Sequence, residues 1–258
     1  MAQSFTLQSL TPLFSFPFKD PRWKQKCLVG VALTFGGLLT FGILNLLVLG
    51  YVYQIQQRII LENGEPYLPE WEDWSRLFMD GMRLAGGIFI LLVPALILFV
   101  VAYLFEIIPT LSILVSTQDS SNMSPFFPLW SLISLIPFGL TMIFSLLAGV
   151  LTPVVAGHVV ATHAWTAVFR VKEWWKILRA NLSGFLICYL IVIGISFISV
   201  IPAEILYFTI ILCCLAPILM SCATFYIYLI SYPLYAIAYR ASVQSLSTPA
   251  QNLTDTRQ

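Results

Sequence analysis

The sequence predicts an all-α, polytopic membrane protein, and three observations carry that prediction. Of 258 residues, 59% are hydrophobic and only 10% charged. A soluble domain of this size carries roughly 25% charged side chains, so lipid must solvate much of the surface. Mean hydropathy is +0.89. The apolar residues also run in unbroken stretches, and a helix needs roughly 20 such residues to cross about 30 Å of hydrocarbon. About five to six membrane-embedded helical segments and two interfacial amphipathic helices are expected. They would lie in one helical membrane domain over 27–240, after an arm over 1–26 and before a disordered tail over 241–258.

The arm, with Pro12, Pro17 and Pro21 and no compact apolar stretch near its start, reads as an irregular or surface-lying segment rather than a cleavable leader. The first apolar run, Cys27 to Tyr53, meets no charge before Arg58 and holds Gly30, Gly36, Gly37, Gly42 and Gly50. It is long enough to cross once, and its glycines equally permit a re-entrant hairpin turning near Gly36-Gly37 or Gly42. Asn45 is expected to hydrogen-bond between helices.

A wet segment, Gln54 to Arg83, follows. Asn63-Gly64 marks a turn, and Pro66 and Pro69 forbid a continuous helix. Beyond Pro69, residues Trp71, Trp74, Leu77, Phe78 and Met82 recur at three- and four-residue steps, opposite Glu70, Glu72, Asp73 and Arg76. That pattern predicts a short amphipathic helix whose tryptophans anchor it at the membrane interface.

The second span covers Leu84 to Phe105, interrupted by Pro94 and closed by Glu106, before a polar turn at Thr117 to Pro128. Leu129 to Phe169 is read as one long helix kinked at Pro153, in preference to two spans turning at Gly149 to Pro153. Arg170 to Asn181 (RVKEWWKILRAN) is a second amphipathic segment, basic on its wet face. A span from Leu182 to Ile201, a break at Pro202 and a last apolar run from Ile205 to Ala238 complete the domain.

Aligning Trp74 with Trp174 sets Leu77 against Ile177, Phe78 against Leu178 and Gly81 against Asn181. Upstream, Gly50-Tyr51 and Gly157-His158 close comparable apolar stretches. The chain therefore reads as a parallel internal repeat, with units of approximately 27–116 and 126–240. Lys and Arg cluster at Lys19/Arg22/Lys24/Lys26, at Arg58/Arg76/Arg83, at Arg170/Lys172/Lys176/Arg179 and at Arg240/Arg257. The positive-inside rule places these regions, and the C-terminus, in the cytoplasm. Both ends of Cys27 to Tyr53 are then cytoplasmic only if that run is a hairpin.

The residues LPEWEDWSRLFMDG (Leu68 to Gly81), preceded by ILNLLVLGY (Ile43 to Tyr51), resemble the prokaryotic membrane proteins grouped as domain-of-unknown-function (DUF) family 4013. Pro153 through Ala167-Val168-Phe169 to Leu178-Arg179-Ala180-Asn181 is similar to the same family, as is FPFKDPRWKQKCLVG (Phe16 to Gly30), so the resemblance covers roughly Phe16 to Arg240. It implies a bacterial or archaeal multi-pass protein of the cell (inner) membrane or an internal membrane, and it supplies no catalytic residues.

Signals for chemistry are sparse. His158 and His163 lie five residues apart, a rotation of about 500° on a helix, so they point some 140° apart and suit no shared metal. Cys27, Cys188, Cys213, Cys214 and Cys222 form no Cys-x-x-Cys pair and read as apolar packing. No Gly-x-Ser-x-Gly, Walker loop or Gly-x-Gly-x-x-Gly occurs, and a net charge of +1 gives no footprint for nucleic acid. The expectation is a non-enzymatic membrane scaffold or accessory module without cofactor or metal, its partners the lipid bilayer and other membrane proteins. Trp71, Trp74, Trp174 and Trp175 would form its interfacial anchor or partner surface. The alternative is a small transporter or channel on the repeat, with Glu106, His158, His163 and Glu204 along a polar path.

Overall fold

A computed structural model describes residues 11–115, 126–208 and 215–255, and no strand occurs among them. Helix α1 (Thr11–Ser15) and a 3-10 turn (Phe16–Lys19) lead into α2 (Trp23–Leu39) and α3 (Asn45–Leu61). Then come α4 (Trp74–Val115), α5 (Phe126–Thr162), a 3-10 turn (Trp165–Phe169), α6 (Val171–Ala180), α7 (Leu182–Phe208) and α8 (Ala216–Asp255). Among the described residues, four segments are long and apolar enough to cross a membrane: Trp74–Ile107, Leu132–Thr162, Leu182–Pro202 and Ala216–Ser247. The chain is a multi-pass membrane protein. At about 1.5 Å per residue, the 42 residues of α4 and the 37 of α5 outrun the roughly 30 Å of hydrocarbon.

By contact the chain forms two compact units, residues 1–88 with 151–258 and residues 89–150, where the sequence alone reads one domain over 27–240. The smaller unit turns Phe89, Leu96, Ile97, Phe99, Leu135 and Met142 outward. Water would penalise so continuous an apolar surface; lipid does not.

In the larger unit, Tyr51, Ile55 and Ile59 of α3 pack with Phe225, Leu229 and Ala236 of α8, together with Phe16, Leu68 and Leu77. Residues 153–160 of α5 are buried on every side, as an all-round apolar helix in a core must be. Helices α3 and α4 run antiparallel in backbone contact: a Cβ on Gly50 would lie 1.8 Å from the Leu77 carbonyl oxygen, and one on Gly81 1.8 Å from that of Leu46. Only glycine permits that approach.

The first apolar run is two helices, not one. Thr40 and Gly42 cap the end of α2 by donating to the carbonyls of Gly36 and Gly37. Phe41 and Gly42 take φ of 50° and 90°, and α3 then runs back along α2. The turn falls at Gly42, one of the two positions the glycines offered. Asn45 seats its amide against Gly37 across this turn, yet its Oδ1 receives no hydrogen bond, contrary to the expected interhelical bond.

Other expectations need correction. Residues 62–73 hold no helix, and α4 starts at Trp74, where the Asp73 carboxylate accepts the Arg76 amide as an N-cap. The first amphipathic segment is thus the opening of α4 rather than a separate helix. Pro94 does not interrupt α4, nor does Pro202 end α7; apolar helices in lipid keep their remaining bonds around a proline because no water competes for them. Leu129 to Thr162 lies within one helix, as favoured, and that helix ends before Phe169, at His163 with φ 54°. The arm forms helical turns with Leu13 and Phe16 buried. Helix α8 continues to Asp255 through the tail read as disordered, where Ser242 and Ser245 donate back to the carbonyls of Ala238 and Ser242. The readings of residues 1–10, of the turn over 117–125, of Cys213 and Cys214, and of 256–258 lie outside the described residues.

Candidate functional site

The polar chemistry of the larger unit gathers in three places. The first joins the arm, the α2–α3 hairpin and the loop ahead of α4. Lys26, almost fully buried, donates to Asp20 at 2.6 Å and to the Leu68 carbonyl at 2.8 Å, and pairs with Glu70 at 2.8 Å. Arg22 donates to the same Glu70 oxygen at 2.7 Å. Trp71 donates its indole N–H to the Lys26 carbonyl and stacks on Tyr51 at 4.1 Å with planes 10° apart. The Tyr51 hydroxyl donates to the Pro69 carbonyl at 3.0 Å. Leu68-Pro69-Glu70-Trp71 thus clasps both arms of the hairpin at once. Burial pulls the Lys26 ammonium down, but its bonds to Asp20 and Glu70 outweigh that and hold it above its ordinary value. The hydrogen bond from Lys26 in turn keeps the Asp20 carboxyl below the usual carboxylate range.

The second place surrounds His158, which lies within the all-round buried stretch of α5. Its Nδ1 shares a 3.0 Å hydrogen bond with the Tyr239 hydroxyl of α8, whose ring also fills the space beside Gly157. Its Nε2 lies 3.3 Å from Glu173 Oε2 of α6, off the line of an aligned hydrogen bond, and Arg170 approaches the same oxygen at 3.9 Å.

The third place surrounds Asp80, a buried carboxylate on α4 flanked by Arg83 at 2.8 Å and Arg76 at 3.6 Å. Arg83 also reaches the Tyr53 hydroxyl of α3, which shares a 2.9 Å hydrogen bond with His163 Nδ1. The two histidines bond to tyrosines of different helices, and His163 lies just beyond the end of α5. Among the described residues, no group of three or more His, Cys, Asp or Glu is placed to hold a metal ion.

The other predicted residues scatter. Trp71 is half-buried in the clasp, whereas Trp74 is 45% exposed at the head of α4. Trp174 is buried in α6 with its indole donating to the Val168 carbonyl, and Trp175 is 43% exposed beneath the Arg179 guanidinium. Each predicted pair thus splits into one structural and one exposed tryptophan. Glu106 belongs to the smaller unit, where the Ser134 hydroxyl donates to it, and Glu204 is exposed on α7. A hollow in the smaller unit is lined by Leu98, Val101, Phe105, Ile133, Ile136, Pro137 and Leu140, none of them polar.

Sequence reasoning missed the joint of Lys26 with Asp20 and Glu70 and the cluster at Asp80. The signals available were a lysine placed directly before an apolar run and an Arg-x₃-Asp-x₂-Arg spacing at the start of a span, which puts three charges on one helix face.

Among the described residues, four membrane-length helices, outward apolar lengths and buried polar joints define a polytopic helical membrane protein. The model of the family described as "Protein of unknown function (DUF4013)" matches residues 34–208, and the chain belongs to that family. The match is narrower than the resemblance over Phe16 to Arg240, and Asp20 and Lys26 fall outside it. No curated protein and no solved structure matches the chain.

Proposed function

We propose that the protein is a non-enzymatic membrane module that scaffolds or assists other membrane components. The observation that carries this reading is where the buried polar side chains end. Lys26, Tyr51, Tyr53 and His158 each terminate on a group from another segment of the same unit, which ties those segments together. The exposed tryptophans Trp74 and Trp175, with Lys172, Lys176 and Arg179 around the latter, leave an aromatic and basic surface for lipid and partner proteins.

Three finer readings accompany it. The α2–α3 hairpin is re-entrant: Leu38, Leu39, Phe41 and Ile43 at its tip are exposed, Phe41 fully, and both arms return to the same loop. With four crossings, both termini then share the cytoplasmic side with the basic regions, in a prokaryotic cell membrane or internal membrane. The chain is a parallel internal repeat, in keeping with the burial of both Leu77 and its counterpart Ile177.

Purified protein in liposomes is expected to conduct no solute or ion, and cross-linking in native membranes is expected to retain a membrane partner. Flux abolished by Glu106→Gln or Glu204→Gln would overturn the scaffold in favour of a transporter or channel. Cysteines at positions 60 and 175 should label from one side and a cysteine at 120 from the other; labelling of 60 and 175 from opposite sides refutes the topology.

A further inference from the structure

The geometry points to a binding site for a phosphate group, that of an anionic lipid, at the cluster of Arg76, Asp80, Arg83, Tyr53 and His163. This goes beyond the scaffold reading and stands whether or not that reading holds. Its first support is depth. The residues after Arg83, from Leu84 to Phe105, are 22 in number and carry no charge, a length of about 33 Å that matches the hydrocarbon layer. Arg83 therefore marks the level at which hydrocarbon gives way to headgroups.

The second support is charge and its arrangement. A carboxylate that is only 5% exposed lies between two guanidiniums that are 58% and 38% exposed. Asp80 neutralises one of them and orients both, because each contacts a different oxygen of the same carboxylate. Within this triad one positive charge is left over, shared by two guanidiniums whose planar forks match the oxygens of a phosphate. A cluster built only to satisfy Asp80 would need one arginine. The second is surplus to the ion pair and open to the outside.

The third support is the wall. The Tyr53 hydroxyl feels the charges of Asp80, Arg83 and Arg76 and shares a 2.9 Å hydrogen bond with His163. One turn beyond Arg83, Gly86 faces Trp165, which is 49% exposed, so an apolar aromatic flanks the charged site as the acyl region requires. Phosphatidylglycerol, whose phosphodiester is its only charge, fits this arrangement. A free phosphate carries the same chemistry without the tail.

The test uses the full chain purified in non-ionic detergent, titrated separately with short-chain phosphatidylglycerol, short-chain phosphatidylcholine and inorganic phosphate, with tryptophan fluorescence and thermal unfolding as readouts. Phosphatidylglycerol should bind in preference to phosphatidylcholine. Arg83→Gln or Arg76→Gln should weaken it about tenfold, the size of one charge-assisted hydrogen bond. Asp80→Asn should tighten it, because a competing negative charge is removed; a purely internal ion pair predicts no such reversal. Should Arg83→Gln fail to fold, Arg83→Lys keeps the charge, loses the fork and should still bind more weakly. Equal binding by folded wild type and the arginine variants, or equal response to the two lipids, overturns the site. A response to inorganic phosphate without one to phosphatidylglycerol overturns the lipid assignment.

Discussion

Replacing Gly50 with alanine tests the α3–α4 crossing on which both the clasp and the Asp80 cluster depend. The new Cβ would lie 1.8 Å from the Leu77 carbonyl oxygen and 2.6 Å from its carbon. Carbon and carbonyl oxygen approach no closer than about 3.3 Å in comfortable contact, so the two helices must part by about 1.5 Å at this point. Neither obstructing atom belongs to a side chain that can rotate away. Overpacking a well-packed core typically costs about 1–3 kcal/mol. Parting α3 from α4 here also disturbs the bond from Tyr51 to Pro69 and the contact between Tyr53 and Arg83, so we expect about 3 kcal/mol. For a chain of this size that is a fall in Tm of roughly 6–12 °C, read by circular dichroism in detergent. Gly81→Ala, which meets the Leu46 carbonyl at the same 1.8 Å, should behave alike. Gly194→Ala is the control: nothing lies within 4 Å of its Cβ, and alanine is favoured over glycine within a helix by roughly 0.5–1 kcal/mol, so its Tm should hold or rise. An unchanged Tm for Gly50→Ala would refute the close crossing.

Lys26→Met removes the centre of the clasp and leaves the Asp20 carboxylate only the Arg22 amide; a loss of about 2–3 kcal/mol is expected from the broken charged hydrogen bonds, measured by thermal unfolding. The advantage of wild type over this variant should also depend on pH. Asp20 is held below its ordinary 3.8, so its contribution is present above that pH and fades as pH falls through the lowered value. Lys26 is held above its ordinary 10.5, so its contribution is present below that pH and is lost as pH rises through the raised value. The difference in Tm should therefore be flat from about pH 5 to 9 and shrink on both sides; a maximum at either extreme contradicts the clasp. Tyr239→Phe leaves the buried Nδ1 of His158 without its partner and should destabilise by about 1–3 kcal/mol, while Tyr53→Phe, whose partner His163 is exposed, should cost less. A cysteine at position 41 should resist a membrane-impermeant maleimide from either face until detergent is added, and ready labelling in intact membranes would rule out a lipid-embedded hairpin tip.

The helical membrane class was legible because it follows from composition and run length, which no tertiary contact can reverse. The continuity of the long helices was harder to read. Pro94 and Pro202 are strong breakers in water, and their weight drops where the remaining backbone bonds face no competitor. The turn of the first run was visible as a choice between glycine positions; what settles it is φ of 90° at Gly42, which no composition reveals. The tryptophans were legible as a group but not individually. Trp71 and Trp74 share one helical stripe in the sequence, yet residues 62–73 are not helical, because Pro66 and Pro69 and the Lys26 joint hold them extended. Charged residues were the least legible. Lys26 counted as one of four basic residues in a topological cluster, whereas its burial depends on Asp20, Leu68 and Glu70, up to 44 positions away.

The clasp also bears on what family membership can say about activity. Within the matched segment, LPEWEDW is where the loop ahead of α4 meets the hairpin. Leu68 and Pro69 are buried, their carbonyls accept from Lys26 and Tyr51, Trp71 stacks on Tyr51, and Asp73 caps α4. Each of these residues has a structural task that accounts for its chemical type: a proline to stop the helix, an aromatic to stack, a carboxylate to cap. In this chain the pattern therefore encodes a joint in the fold. Activity is better sought in groups that the joints leave over: the surplus arginine at Asp80 and the exposed Trp175 with its neighbouring cations. Substitutions at Leu68, Pro69, Trp71 and Asp73 will change the stability of the protein, while Arg76→Gln and Arg83→Gln will change what it binds.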